Sequence, residues 1–461
     1  MTLPIQTPLH LMSVDAPSDC CSYRWPEEFA KNMADMIHQQ VCDMLSQSRL
    51  QRLDNGIQLV RREDIVRTDS VLGLGAFSQV SSVTAKDGRQ YACKHLKRKL
   101  MEQPENFRLA AAEMACEAHM LASFDHPHIL KIRGWAYNGI ASFEDGFHDS
   151  FFLLLDQLDE TLDQRIDRWR AEVEQQAACS IIAHGTHAGI GTLWRRLRHH
   201  PASPESVLTA DEESHHLNIT TQLHCIEKLE VMQGVASALE YLHERGVVFR
   251  DLKPNNIGFL GNRVQLFDFG LSRELPALDT SVPFEMSGKV GTLRYMAPEV
   301  AMHQPYNVAA DVYSWAMVCY ETLSLEKPFN GWTRDMHANL VCNQGLRPDT
   351  VNCLGMVPPE MGVLLEHCWS SLAVKRPPTH QIPAQVQLIR DKQLLVLEEQ
   401  QLQQHLSRRI EQHQEVAAAA AMFIDMPRFP PAPRKRMRRT HSFESIETIE
   451  TSSLSADSQD W

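Results

Sequence analysis

Between Pro26 and Leu53 apolar residues return every three or four positions (Phe29, Met33, Met36, Ile37, Val41, Met44, Leu45), which places them on one face of a helix. Such a face needs cover, so the helix is expected to pack on the main domain; the alternative is a helix that binds a partner. From Ile65 to Leu158 the pattern changes to short apolar runs separated by turn residues, which predicts strands. VLGLGAFSQVSSVTA and RQYACKHL read as a hairpin whose turn is Asp87-Gly88. One Ala-rich stretch, residues 107–124, reads instead as a helix, ended by Asp125-His126-Pro127-His128.

From about Thr161 to Pro383 the pattern is mainly helical. Residues 171–217 interrupt it: they are rich in His, Ser, Ala and Gly, lack periodicity, and predict a long exposed insertion. Their six histidines fit no standard set of metal-ligand spacings, so a solvated loop is expected rather than a metal site. Residues 384–421 carry Leu, Gln, Glu and a five-alanine run, which predicts a long helix. A Pro-rich stretch, the basic run Arg434–Arg439 and an acidic Ser/Thr-rich end follow, and predict a disordered tail. The basic run reads either as a solvated linker or as a nuclear-import signal; Ser442, three residues after Arg439, is a candidate target of a basic-directed kinase. The chain thus divides into an extension (1–64), a main domain (65–382, changing character near 157–158) and a C-terminal helix and tail (383–461).

Composition narrows the class. With 43% hydrophobic and 22% charged residues the 461-residue chain is of the soluble globular type. Its formal charge of −13 argues against general nucleic-acid binding. No run approaches the ~18 apolar residues of a membrane span, and the N-terminus lacks the basic start and apolar core of a signal peptide. Eleven cysteines without a C-x-x-C pair suggest reduced thiols, hence cytoplasm, nucleus or both.

The candidate chemistry begins at Leu72-Gly73-Leu74-Gly75-Ala76-Phe77-Ser78-Gln79-Val80, between two expected strands. Glycines let a hairpin approach phosphates closely, with backbone N–H groups over the oxygens. Further on lies Tyr91-Ala92-Cys93-Lys94. A lysine between apolar strand residues needs an anionic partner. Phosphate oxygens are one; a carboxylate from helix 107–124 is another, with Glu117 the better candidate and Glu113 the alternative one turn earlier. Then come Phe249-Arg250-Asp251-Leu252-Lys253-Pro254-Asn255-Asn256, Asp268-Phe269-Gly270 and Ala297-Pro298-Glu299.

In this order those runs resemble the eukaryotic protein kinase family, over roughly residues 65–382. The resemblance implies an α+β, two-lobed kinase fold: a small β-rich N-lobe (65–157) with one main helix, and a larger, mainly helical C-lobe (158–382). It implies ATP and Mg²⁺ as cofactors, protein substrates, and transfer of phosphate to serine or threonine. Asp251 would accept the proton of the substrate hydroxyl, and Lys253 and Lys94 would stabilise phosphate charge. Leu72, Gly73, Gly75, Val80, Ala92, Lys94 and Glu117 would form the nucleotide site, and Asn256 and Asp268 would hold the metal. Adenine is expected against a connector near Asp156–Asp159, with Leu155 behind it.

Supporting parts agree. Glu299 is expected to pair with Arg376, and Asp311 to hold the catalytic-loop backbone. Asp-Leu-Lys-Pro-Asn-Asn and Gly291-Thr292 suit a serine/threonine enzyme, while DVYSWAMVCYETL and His367-Cys368-Trp369 resemble the tyrosine-kinase-like branch. Arg250 beside Asp251 suggests control by an upstream kinase acting on Thr280, Ser281 or Ser287, with Thr292 positioning substrate. Two positions depart from the family pattern: Ser78 replaces the third glycine, and Phe249 replaces the usual histidine in an apolar column expected to contain Leu121 and Phe269. The competing reading is a pseudokinase or scaffold; retention of Lys94, Asp251, Asn256 and Asp268 together favours the enzyme.

Overall fold

The computed structural model describes residues 24–53, 56–183, 210–288, 291–351, 353 and 356–424. The chain forms two compact units, Met1–Glu399 and Gln400–Trp461.

In the first unit six strands form one sheet: β1 (Gln58–Val60), β2 (Ile65–Leu74), β3 (Ser78–Ala85), β4 (Gln90–Leu96), β5 (Ile132–Ala136) and β6 (Phe152–Asp156). Their order is β1-β5-β6-β4-β3-β2. Every pairing is antiparallel except β1 with β5. Tyr91 to Lys94 of β4 are buried in succession rather than alternately, as expected of a strand covered on both faces. One cover is helix α2 (Pro104–Ala122), which starts with Pro104 at its first position, where a missing N–H costs nothing.

Helix α1 (Glu27–Leu45) lies outside α2. Its buried positions are Ala30, Met33, Ala34, Ile37 and Val41, whereas Phe29, Met36 and Met44 are exposed. The inward stripe is therefore narrower than the apolar spacing suggested, and it uses two alanines that allow close approach. β1, within the segment read from sequence as an extension, sits on the edge of the small-lobe sheet. Gly134 permits this: a Cβ there would stand 2.8 Å from the Gln58 backbone oxygen.

The larger lobe is built on α3 (Leu162–Ala183), α4 (Ala210–Glu244), α5 (Ala309–Ser324), α6 (Pro359–Cys368) and α7 (Ile382–Ile424). From Ala310 to Ser324 every side chain of α5 is buried, which makes it the hub of this lobe. Trp315 donates from its indole N–H to the Met232 oxygen at 3.1 Å and pins α5 to α4. Short strands carry the loops between the lobes. β7 (Glu160–Thr161), β9 (Ile257–Leu260) and β10 (Arg263–Leu266) form one small sheet, and β8 (Val247–Val248) pairs with β11 (Arg273–Glu274). This is the α+β, two-lobed arrangement that the motifs implied.

One expectation is corrected. Residues 171–183 continue α3 and 210–217 open α4, so the helices reach well into the segment read as an irregular insertion. Its centre, 184–209, lies outside the described residues, as do the Pro-rich stretch, the basic run 434–439 and Ser442. In the second unit residues 400–424 are helical, with Leu402, Leu406 and Ile410 exposed. No described helix is long and apolar enough to cross a membrane.

Candidate active site

β2 and β3 bring the glycine hairpin over the cleft. Gly73 pairs with Val80 and Leu74 with Gln79, and the Gly75 N–H donates to the Ser78 oxygen at 2.9 Å, which closes the tip. The Lys97 ammonium donates to the Gly75 oxygen. Ser78 therefore completes the turn through its backbone. Val80 faces Lys94 across the β3–β4 ladder, and Ala92 pairs with Leu155. Leu72 remains exposed at the cleft, while Ala92 and Leu155 are buried.

Lys94 is buried, and its Nζ donates to both oxygens of Glu117 at 2.7 Å and to Asp268 Oδ1 at 3.1 Å. Packing settles the choice the sequence left open. Glu113 points away from the cleft and approaches Arg273 at 3.9 Å. Burial alone would lower the Lys94 pKa, yet the Glu117 and Asp268 carboxylates hold it above the ordinary lysine value. The two partners pull in opposite senses, because burial also pushes the Glu117 carboxyl up against the Lys94 charge. The doubly accepted 2.7 Å contact favours the ionised pair. Lys94 holds the Asp268 carboxyl below the usual carboxylate range, against an opposing partial desolvation. Asp268 itself adopts a left-handed backbone, φ 65°, which turns its carboxylate toward Lys94.

The catalytic-loop candidates converge on Asp251. Lys253 Nζ donates to Asp251 Oδ2 at 2.6 Å, and Asn256 Nδ2 donates to the Asp251 backbone oxygen at 2.9 Å. The other carboxylate oxygen accepts from the Thr292 N–H at 3.0 Å and from its hydroxyl at 3.2 Å. Gly291 makes this approach feasible: its φ is +101°, and a Cβ would stand 2.7 Å from the Arg250 backbone oxygen.

The loop is held from below by Asp311, which accepts the Phe249 N–H at 2.7 Å and the Arg250 N–H at 2.8 Å. His243 also stands 2.9 Å from Asp311, through Nε2, and 2.5 Å from the Thr379 hydroxyl through Nδ1. Sequence reasoning missed His243. The available signal was a histidine at the end of an apolar helix shortly before the loop. Phe249 and Phe269 meet edge to face with centroids 5.2 Å apart; Phe124 is the next ring, 5.6 Å from Phe269, and Leu121 is buried in the same core. Arg376 grips Glu299 with two guanidinium nitrogens at 2.6 and 2.8 Å.

Residues 66–387 match the family model described as a protein kinase domain. The serine/threonine/tyrosine-protein kinase HT1 of Arabidopsis thaliana is 36% identical over 168 residues, covering 36% of this chain and 39% of that protein. STY17, a serine/threonine-protein kinase of the same plant, is 36% identical over 150 residues, 32% of this chain and 25% of the relative. A third Arabidopsis serine/threonine-protein kinase, VIK, is 34% identical over 148 residues, covering 31% and 33%. The chain thus spans between a quarter and two-fifths of the length of these relatives.

Proposed function

The chain belongs to the protein kinase family, and we propose that it transfers the γ-phosphate of ATP to serine or threonine hydroxyls of protein substrates, with Mg²⁺ as cofactor. The observation that carries this reading is a pair of polar clusters: Lys94 with Glu117 and Asp268, and Asp251 with Thr292, Lys253 and Asn256. A scaffold has no need of all these groups in mutual register.

In this reading adenine lies against the Asp156–Asp159 connector, flanked by Leu72, Val80 and Ala92, with Leu155 behind. The Gly73–Gly75 hairpin and Lys94 meet the phosphates. Asn256 commits its Nδ2 to Asp251, which leaves Oδ1 as its outward acceptor. With the Asp268 carboxylate this offers the hard oxygens that Mg²⁺ prefers. Among the described residues no group of three or more His, Cys, Asp or Glu converges on one point, so Asn256 and Asp268 are the side chains that would hold the ion. Bound there, Mg²⁺ neutralises phosphate charge.

Asp251 then orients the substrate hydroxyl and accepts its proton as the new O–P bond forms and the bond to ADP breaks. Lys253, held beside Asp251, stabilises the transferring phosphoryl group. Thr292 limits the space at Asp251 and suits a short aliphatic hydroxyl. An upstream kinase acting on the segment between Asp268 and Glu299 is part of the reading. Phosphoamino-acid analysis of the products is the test: phosphoserine and phosphothreonine are expected, and phosphotyrosine as the main product would overturn the assigned specificity.

A further inference from the structure

Residues 24–53 touch both halves of the catalytic machinery. α1 covers the outer face of α2, the helix that carries Glu117. The Trp25 ring stands 4.7 Å from Phe107, and Gln40 accepts a hydrogen bond from Arg108. At the other end of α2 the Leu53 N–H donates to the Ala122 oxygen at 2.9 Å. Between these anchors the chain leaves α2 and binds the start of the activation segment. The Ser48 hydroxyl donates to Glu274 Oε2 at 2.8 Å, and the Arg49 N–H donates to Oε1 at 2.7 Å. The Arg49 guanidinium donates to the backbone oxygens of Leu275 and Pro276 at 2.6 and 3.1 Å.

Glu274 occupies a pivotal place. It lies six residues after Asp268 and pairs through its backbone with Val247, four residues before Asp251. A carboxylate here that accepts two hydrogen bonds from residues 226 and 225 positions away joins three elements: α2, the Asp268 segment and the strand leading to Asp251. The same two elements also meet in the cleft, where the Glu117 carboxyl accepts from the Phe269 N–H, and at the half-exposed Glu113–Arg273 pair, 3.9 Å apart.

We infer that residues 46–53 form a positioning strap, in which Arg49 and Ser48 clamp Glu274 while Leu53 and α1 hold α2. The strap keeps Glu117 against Lys94 and Asp268 in its left-handed turn. Arg49 and Glu274 act as positioning residues; neither reaches the reacting atoms. The inference rests on the kinase reading for its effect on rate, and on geometry alone for its effect on structure.

Charge reversal in the full chain tests it. Arg49→Glu and Glu274→Arg separately are expected to lower kcat about fivefold or more, with KM for ATP within about twofold. Amide exchange over residues 113–122 and 268–276 should rise about tenfold. Arg49→Gln, which removes the charge alone, is the milder variant should either reversal fail to fold. Faster exchange with unchanged kcat would overturn the positioning role and leave a structural stitch. If the unmodified chain transfers no phosphate, the kinase reading fails, and the exchange data still decide: unchanged exchange over 113–122 in Arg49→Glu would sink the strap as well.

Discussion

Lys94 and Glu117 form a buried ion pair, with Nζ 2.7 Å from both carboxylate oxygens, and Asp268 shares the same ammonium at 3.1 Å. Small-lobe sheet, helix α2 and activation-segment start thus meet at one charge. Glu117→Gln leaves that ammonium with a single partner and releases α2. Phosphate transfer should fall at least about tenfold, since losing one member of a buried pair strands its partner. Glu113→Gln, on the solvated face, should stay within about twofold, because exposed pairs contribute little. Steady-state kinetics of both variants side by side check the assignment; equal losses would contradict it.

Among the three acceptors proposed for the activation segment, the geometry singles out Ser287. Arg250 Nη2 donates to the Ser287 backbone oxygen at 3.0 Å and also reaches its hydroxyl. Among the described residues the buried Arg250 Nε has no hydrogen-bond partner, and burial lowers the guanidinium pKa. A phosphate on Ser287 would supply the missing acceptor. Ser281 instead donates its N–H and hydroxyl to Asp279 Oδ1 at an exposed turn. Phosphatase treatment should therefore lower the activity of the phosphorylated chain and of Ser281→Ala. In Ser287→Ala it should change nothing; persistence of the phosphatase effect there would refute the assignment.

The Glu299–Arg376 pair ties the end of the activation segment to the final helices and is almost wholly buried. Glu299→Gln leaves a buried guanidinium short of its carboxylate. A loss of about 3–5 kcal/mol is expected by urea unfolding. A change below about 1 kcal/mol would show that Arg376 finds a substitute acceptor; the Ala309 and Ser370 oxygens already accept from it.

Lys228 sets a pH dependence. Burial beside Trp169, whose ring lies 5.3 Å from Nζ, pushes its pKa down from 10.5 to about 8. Between those values the unfolded chain keeps a proton that the native chain has lost, so stability rises with pH across that window. Below about pH 8 the penalty is present in full, up to about 3 kcal/mol. Lys228→Met should be the more stable protein at pH 7, and its advantage should shrink between pH 7 and 9.5. A gap independent of pH would contradict the lowered pKa. Comparing the two chains removes most of the opposing slope from buried thiols such as Cys225, which burial pushes up to about 12.

Much of the cleft was legible because its chemistry sits in short contiguous runs. Asp251, Lys253 and Asn256 fall within six residues, and Asp268 follows a single short hairpin. Glu117 was legible only to within one helical turn, since the sequence offers Glu113 at the equivalent spacing; packing of α2 against β4 decided between them. β1 was not legible. Three residues with one buried side chain carry no alternation, and the strand exists because Gly134 lets Gln58 approach. The Glu274 clamp joins residues 226 positions apart through polar side chains, which leave no periodic trace. Helices α3 and α4 ran past their expected ends because the composition of 171–217 lacks an apolar stripe yet contains no proline before Pro201 to break a helix.

The most direct measurement is transfer of labelled phosphate from ATP, with Mg²⁺ and a mixed serine, threonine and tyrosine peptide library, by the purified chain and by Asp251→Ala. The account predicts labelled serine or threonine peptides with the unmodified chain and a loss of about a thousandfold or more in the variant, since the carboxylate that accepts the hydroxyl proton is gone. Equal incorporation by both, or none by the unmodified chain after treatment with an activating kinase, would contradict it.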